Sequence, residues 1–200
     1  VVVQETPHTC GPSSLLSILK AMAAYTGTEE ELARRVGATA QSGTPPQGLA
    51  QGAREMGLQA ELRTGLGRQD LAQLLKQGKG VILGIQAWRD LPAGTPSRSP
   101  IQDAVAWEQE WNSGHYVAPL GIHDHAYFMD PSLGNVFGQG GGEYGFIALD
   151  ELESRWHDED FVGHKLWRHS HAAVVISGPG GKSLPRIDPT KLRAGVLQIR

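Results

Sequence analysis

Cys10 is the single cysteine among 200 residues, and it stands in Gln4-Glu-Thr-Pro-His-Thr-Cys10-Gly11-Pro12-Ser13-Ser14-Leu15-Leu16. One thiol makes neither an intrachain disulfide nor a thiolate metal cluster. It remains a packed filler, a redox-sensitive thiol or a nucleophile, and free cysteine is most often the first. Pro12 suits the first turn of a helix, where its missing N–H would be an orphan donor and its fixed φ is already helical. Cys10 therefore sits at the mouth of a helix N-terminus, whose unpaired N–H groups favour a thiolate over a thiol. A cysteine nucleophile needs a base, a group that orients the base, and donors for the developing oxyanion. His115 and Asp130 are the candidates for base and orienter. If the chain between them turns near His123-Asp124, their ends lie side by side and the Asp130 carboxylate accepts from one ring nitrogen of His115. The other nitrogen then faces Cys10 across a cleft. Gln4, six residues before the thiol, can return a side-chain N–H beside the backbone N–H of Cys10 as an oxyanion hole.

Positioning these groups falls to short helices early and strands late. Gly11 to Tyr25 is expected as the first helix, with Leu15, Leu16, Ile18, Leu19 and Met22 on its apolar side and Gly27 as its stop. Thr28 with Glu31 is a capping-box start for a short helix to about Val36. A third helix spans Gln47 to Met56 and stops at Gly57, and a fourth spans Arg68 to Lys76. Leu58 to Arg63 and the apolar run Val81 to Gln86 are expected strands. Residues 115–122 and 125–130 form a hairpin around His123-Asp124. Phe146 to Leu149 and Ala172 to Ser177 are further strands, separated by a short helix from Asp150 to Trp156. The order is that of an α+β domain over residues 1–177, followed by a tail or linker over 178–200. Residues 89–112 are a Pro- and Gly-bearing insertion, and Gly138 to Gly142 a flexible loop with no phosphate-cradle pattern.

At these residues the sequence resembles the C39-type, bacteriocin-processing-like branch of the papain-like cysteine peptidases. The resemblance rests on Gln4 with Thr-Cys10-Gly11-Pro12-Ser13, on Gly114-His115-Tyr-Val, and on Phe128-Met129-Asp130-Pro131-Ser132. The Val81-Ile-Leu-Gly-Ile85 strand and Glu151-Leu-Glu-Ser-Arg-Trp156 are similar to stand-alone members, and the likeness runs from about residue 4 to 177. It implies a papain-like fold with a helical half packed on an antiparallel sheet. It also implies Cys10 as nucleophile, His115 as base and then acid, Asp130 as orienter, and Gln4 as oxyanion donor. The best understood members of that family cut leader peptides after a double glycine. The expected activity is hydrolysis of a peptide or amide bond through an acyl-thioester, with a peptide or protein as substrate. Two alternatives stand beside it: an acyltransferase that passes the thioester acyl group to an amine or thiol, and a non-catalytic peptide-binding module on the same fold.

Other polar clusters are weaker candidates. His123-Asp124-His125 offers zinc-type ligands, yet at a hairpin tip it is expected as an exposed turn. His157, His164, His169 and His171 lie in a segment rich in His, Asp and Glu, expected as exposed polar chain or as salt bridges to its acids. Trp88, Trp107 and Trp111 flank the insertion as core anchors or groove lining. No metal and no cofactor is expected. A net charge of −3 and a pI near 6.2 argue against a nucleic-acid partner, and no apolar run reaches the length of a membrane span. A lone cysteine fits a reducing, cytoplasmic compartment, with a first residue, Val1, that is consistent with a trimmed N-terminus.

Overall fold

The computed structural model describes residues 1–87, 105–132, 144–162, 165–181, 183–185, 188 and 196–199. Helix α1 (Cys10–Ala21) runs through the middle of the domain, with nine consecutive residues from Gly11 to Leu19 buried. A stretch buried all round cannot carry long polar groups, and its polar members are three serines, with the exposed Lys20 following it. Ser13 Oγ donates to Thr9 O at 2.8 Å, Ser17 Oγ to Ser13 O at 2.8 Å, and Ser14 Oγ crosses to the carbonyl of Tyr116 at 3.1 Å. The helix stops earlier than its glycine pattern predicts. Ala23 adopts a left-handed φ of 52°, and its neighbour closes the end through Ala24 N to Leu19 O at 2.9 Å. A left-handed residue after a helix is usually glycine; here alanine fills the role, so Gly27 is not the stop.

Helix α2 (Glu29–Arg35) opens on the expected capping box, with Thr28 and Glu31 each capping the other's backbone N–H. Helix α3 (Pro46–Glu55) starts on Pro46, and Gly57 beyond it holds φ +80°. Helix α4 (Arg68–Lys76) has the expected bounds, its first turn tied by Gly67 N to Asp70 Oδ2 at 2.8 Å.

The strands are β1 (Gln59–Arg63), β2 (Gly80–Gln86), β3 (Gly114–Ile122), β4 (His125–Met129), β5 (Tyr144–Ala148), β6 (His157–Val162), β7 (Lys165–Ser170), β8 (Ala173–Ser177) and β9 (Val196–Gln198), with helix α5 (Leu149–Arg155) between β5 and β6. Among the described residues one sheet has seven strands in the order β1-β8-β2-β3-β4-β5-β9. It is antiparallel except where β9 joins β5 in parallel. The segment expected as a tail thus returns to the sheet at residues 196–198. Strand β2 is buried along its whole length, as befits a run with apolar residues on both faces. Ile82, Val174, Tyr116 and Met129 pack with α1, α2 and α3. Val81, Leu83, Val117, Phe128 and Val175 face the other way, toward Leu71 and Leu74 of α4 and Trp156. This two-residue alternation around a central sheet makes the α+β architecture.

The segment from His157 to Ser170 departs from expectation. It is a β6–β7 hairpin rather than exposed polar chain, with His157, Asp158, Asp160 and His169 all buried, and of the expected salt bridges to its acids it holds His169–Asp160 at 2.7 Å. Gln86, wholly buried, donates from Nε2 to His157 O at 3.1 Å and to Asp158 Oδ1 at 3.2 Å. Beneath it, Arg155 donates to Gln86 O at 2.9 Å and to Ile199 O at 2.8 Å, with its guanidinium 4.2 Å over the Trp107 ring. Trp107 is therefore a core anchor, and Trp111 packs against His157 and Arg168. Trp88, His164 and the 138–142 loop lie outside the described residues.

Candidate active site

Cys10 is the first residue of α1, and the short lead-in holds the head of that helix from both sides. Thr6 and Thr9 close a tight turn, with Thr9 Oγ1 donating to Thr6 O at 3.0 Å and accepting from Thr6 N at 3.1 Å. The Glu29 carboxylate of α2 accepts from Glu5 N at 3.0 Å, and Val2 N donates to Ser17 Oγ at 2.8 Å. Gly11 permits the close seat of the thiol. A Cβ there would stand 3.1 Å from Thr44 Cβ and 3.2 Å from the Tyr116 ring, tighter than most side-chain contacts. The thiol itself is half-buried.

The β3–β4 hairpin supplies the partners. Its register pairs Ala118 with Met129, so one step on Val117 stands opposite Asp130, and His115 becomes the diagonal neighbour of Asp130 on the same face. His115 Nε2 donates to Asp130 Oδ1 at 2.8 Å, with side chains only 6% and 0% exposed. Cys10 lies near enough to act on the same ring electrostatically, so the structure brings Cys10, His115 and Asp130 together. Burial works against charge on His115. The Asp130 carboxylate, by charge and hydrogen bond, and then Cys10 outweigh it and push the imidazole up to about 10. Burial likewise opposes charge on Asp130, but the His115 ring and the Ser132 donors hold its carboxyl below the ordinary range.

Ser132 is a member of this cluster that spacing arguments pass over. Its backbone N and its hydroxyl both donate to Asp130 Oδ1, at 2.9 and 2.8 Å. An aspartate accepting from the amide two residues on is an Asx-turn, and Asp130-Pro131-Ser132 carries that signature in the sequence. Gln4 reaches the same turn. Its backbone N donates to Pro131 O at 2.9 Å, and its side-chain Nε2 donates to Thr6 O at 2.9 Å. The side-chain amide thus helps to hold the lead-in.

A cavity of about 340 Å³ opens beside Cys10, walled by Thr44, Tyr116, Asp158, Glu159 and Asp160 among others. Its acidic wall is the inner edge of β6. Asp158 Oδ1 accepts from Glu159 N at 2.9 Å and from Gln86, and Asp160 Oδ2 accepts from His169 Nε2 at 2.7 Å. Burial and then the charge of Asp160 push the Asp158 carboxyl up to about 8. Burial, followed by the charges of Asp160, Asp158 and Cys10, drives the Tyr116 hydroxyl well above its usual range. Neither the histidine-rich segment nor the hairpin tip gathers three metal-ligating side chains among the described residues. At that tip His123 is exposed and Asp124 Oδ1 accepts from Tyr127 Oη at 2.7 Å.

No family model and no curated protein matches the chain by sequence. Solved structures do match by shape. A putative C39-like peptidase from Bacillus anthracis superposes with a TM-score of 0.58 at 16% identity, over 92% of this chain and 95% of that one. The peptidase domain of Streptococcus ComA, a bi-functional ABC transporter involved in a quorum-sensing pathway, does so with a TM-score of 0.57 at 14% identity, over 88% and 96%. The fold is the papain-like one of C39 peptidase domains. No described helix is long and apolar enough to cross a membrane.

Proposed function

We propose that this protein is a cysteine peptidase that hydrolyses a peptide or amide bond, with Cys10 as nucleophile, His115 as base and then acid, Asp130 as orienter and Gln4 as oxyanion donor. The observation that carries the reading is the buried His115–Asp130 contact of 2.8 Å, with Cys10 near enough to act on the same ring. A cysteine packed only as filler has no use for that pair.

The resting state is a Cys10 thiolate beside an imidazolium on His115, the charge on the ring maintained by Asp130. The sulfur attacks the substrate carbonyl carbon, and the carbonyl electrons move onto oxygen. The Cys10 backbone N–H and the Gln4 side-chain amide donate to that oxyanion. His115 gives its proton to the leaving amine as the carbon–nitrogen bond breaks, leaving an acyl-thioester on Cys10. Neutral His115 then takes a proton from water, whose oxygen attacks the thioester, and the thiolate departs to restore the pair. Asp130 stays ionised throughout and fixes the ring's orientation. The test is a peptide library assayed with wild type and Cys10→Ala, with a peptidyl acyloxymethyl ketone as probe. Cleavage together with probe adduct on Cys10, both absent from the variant, supports the reading; a wild type that neither cleaves nor labels refutes it.

A further inference from the structure

We infer that the cavity beside Cys10 is a specificity pocket for a cationic group of the substrate, a lysine or arginine side chain next to the bond to be cleaved. This rests on the cysteine-peptidase reading and adds to it what that enzyme selects.

Three consecutive residues of β6 give the cavity its acidic wall, and Asp158 and Asp160 do so while only 6% and 5% exposed. Buried carboxylates repel one another and favour a cation more strongly than exposed ones. Among the described lining residues the one side chain able to carry positive charge is His8. Arg168 pairs with Glu159 at 2.9 Å from outside the lining, and His169 backs Asp160 at 2.7 Å. A second feature is independent of the acids. The Thr44 hydroxyl, 2% exposed, lines the same cavity and has no hydrogen-bond partner among the described residues. A buried hydroxyl without a partner is costly to keep, and it is relieved by a ligand that brings a donor.

Ammonium and guanidinium groups bring three and five donors and no acceptor. They suit a wall of carboxylates and a hydroxyl oxygen better than any neutral or anionic group. Phe161 and Trp111, also in the lining, offer apolar surface to the methylene stem that such side chains lay along a wall. At Gly114, the residue before His115, any side chain would run into the Asp158 carboxylate. Strand β3 thus enters the site with bare backbone next to the carboxylate.

Because Cys10 is the only cysteine, thiol labelling reads the field at this site directly. Wild type is treated with cationic 2-aminoethyl methanethiosulfonate and with anionic 2-sulfonatoethyl methanethiosulfonate, each rate divided by that for free 2-mercaptoethanol. A helix N-terminus alone would favour the anionic reagent. The acidic pocket reverses this, and the cationic reagent is expected to react at least about tenfold faster after normalisation. Asp160→Asn is expected to reduce that preference severalfold, and Asp158→Asn to do so above about pH 8, where the wild-type carboxyl is ionised. A normalised ratio near or below one overturns the proposal and leaves the peptidase reading standing; no reaction with either reagent overturns both. In the peptide library, an arginine next to the cleaved bond is expected to raise kcat/KM at least about tenfold over its neutral isostere citrulline. Equal values for the two also overturn the proposal.

Discussion

His115 and Asp130 meet at 2.8 Å with almost no solvent around either side chain. The contact raises the folded histidine from its ordinary 6.5 to about 10 and depresses the aspartate. A base that holds its proton more tightly when folded stabilises the fold while it is protonated there. Its contribution is complete below about 6.5 and is lost as pH rises through about 10. The lowered Asp130 works at the other end: its contribution is present above its ordinary 3.8 and lost on acidification. The urea midpoint of wild type is therefore expected to exceed that of Asp130→Asn at pH 7, and the gap to close by pH 10.5. A gap of equal size at both values contradicts the coupling.

Gln4 separates a catalytic role from a structural one. Its side chain donates to Thr6 O, a hydrogen bond worth about 1 kcal/mol of stability. An oxyanion donor contributes roughly 3–4 kcal/mol to the transition state, or about a hundredfold or more in kcat. Gln4→Ala is expected to turn over at least about a hundredfold more slowly while melting only a few degrees lower. Paired measurements of kcat and Tm test this, and unchanged kcat removes Gln4 from the mechanism.

Asp158 is expected to be a liability to the fold. Its carboxyl titrates near 8 when folded against 3.8 ordinarily, so the folded state binds the proton that the unfolded chain has already released. Whatever stability that proton carries is present below about 4 and is lost as pH rises toward 8. Asparagine keeps an oxygen for Gln86 and the Glu159 amide, without the charge. Asp158→Asn is expected to melt close to wild type at pH 4 and increasingly above it from pH 5 to pH 8. Thermal scans across that range check it, and a variant less stable than wild type at pH 8 contradicts it.

The parts of this molecule that follow local rules were readable in the chain. Thr28 and Glu31 announce α2, Pro46 and Gly57 bracket α3 to within a residue, and the β3–β4 hairpin is visible as two runs around His123-Asp124. That hairpin juxtaposes His115 and Asp130, so the contact itself followed from spacing. The parts that depend on distant partners did not. His157-Asp-Glu-Asp160 has no apolar alternation, because its buried members are satisfied by Gln86 and His169 rather than by apolar neighbours. Such a strand is indistinguishable from exposed polar chain until its partners are known. The stop of α1 rests on alanine in a conformation glycine normally takes. Strand β9 owes its existence to β5, some fifty residues earlier. Ser132 had a local signal, the Asx-turn after Asp130, and its hydroxyl adds to a bond already implied.

The central claim is that an imidazolium on residue 115 keeps the sulfur of residue 10 ionised. Its most direct measurement is the rate of iodoacetamide alkylation at pH 6 in wild type and in His115→Ala, each compared with free cysteine, which is under about 1% thiolate at that pH. Wild type is expected to react at least about tenfold faster than free cysteine, and His115→Ala to fall back to the free rate or below it. Equal rates for the two proteins would contradict the account.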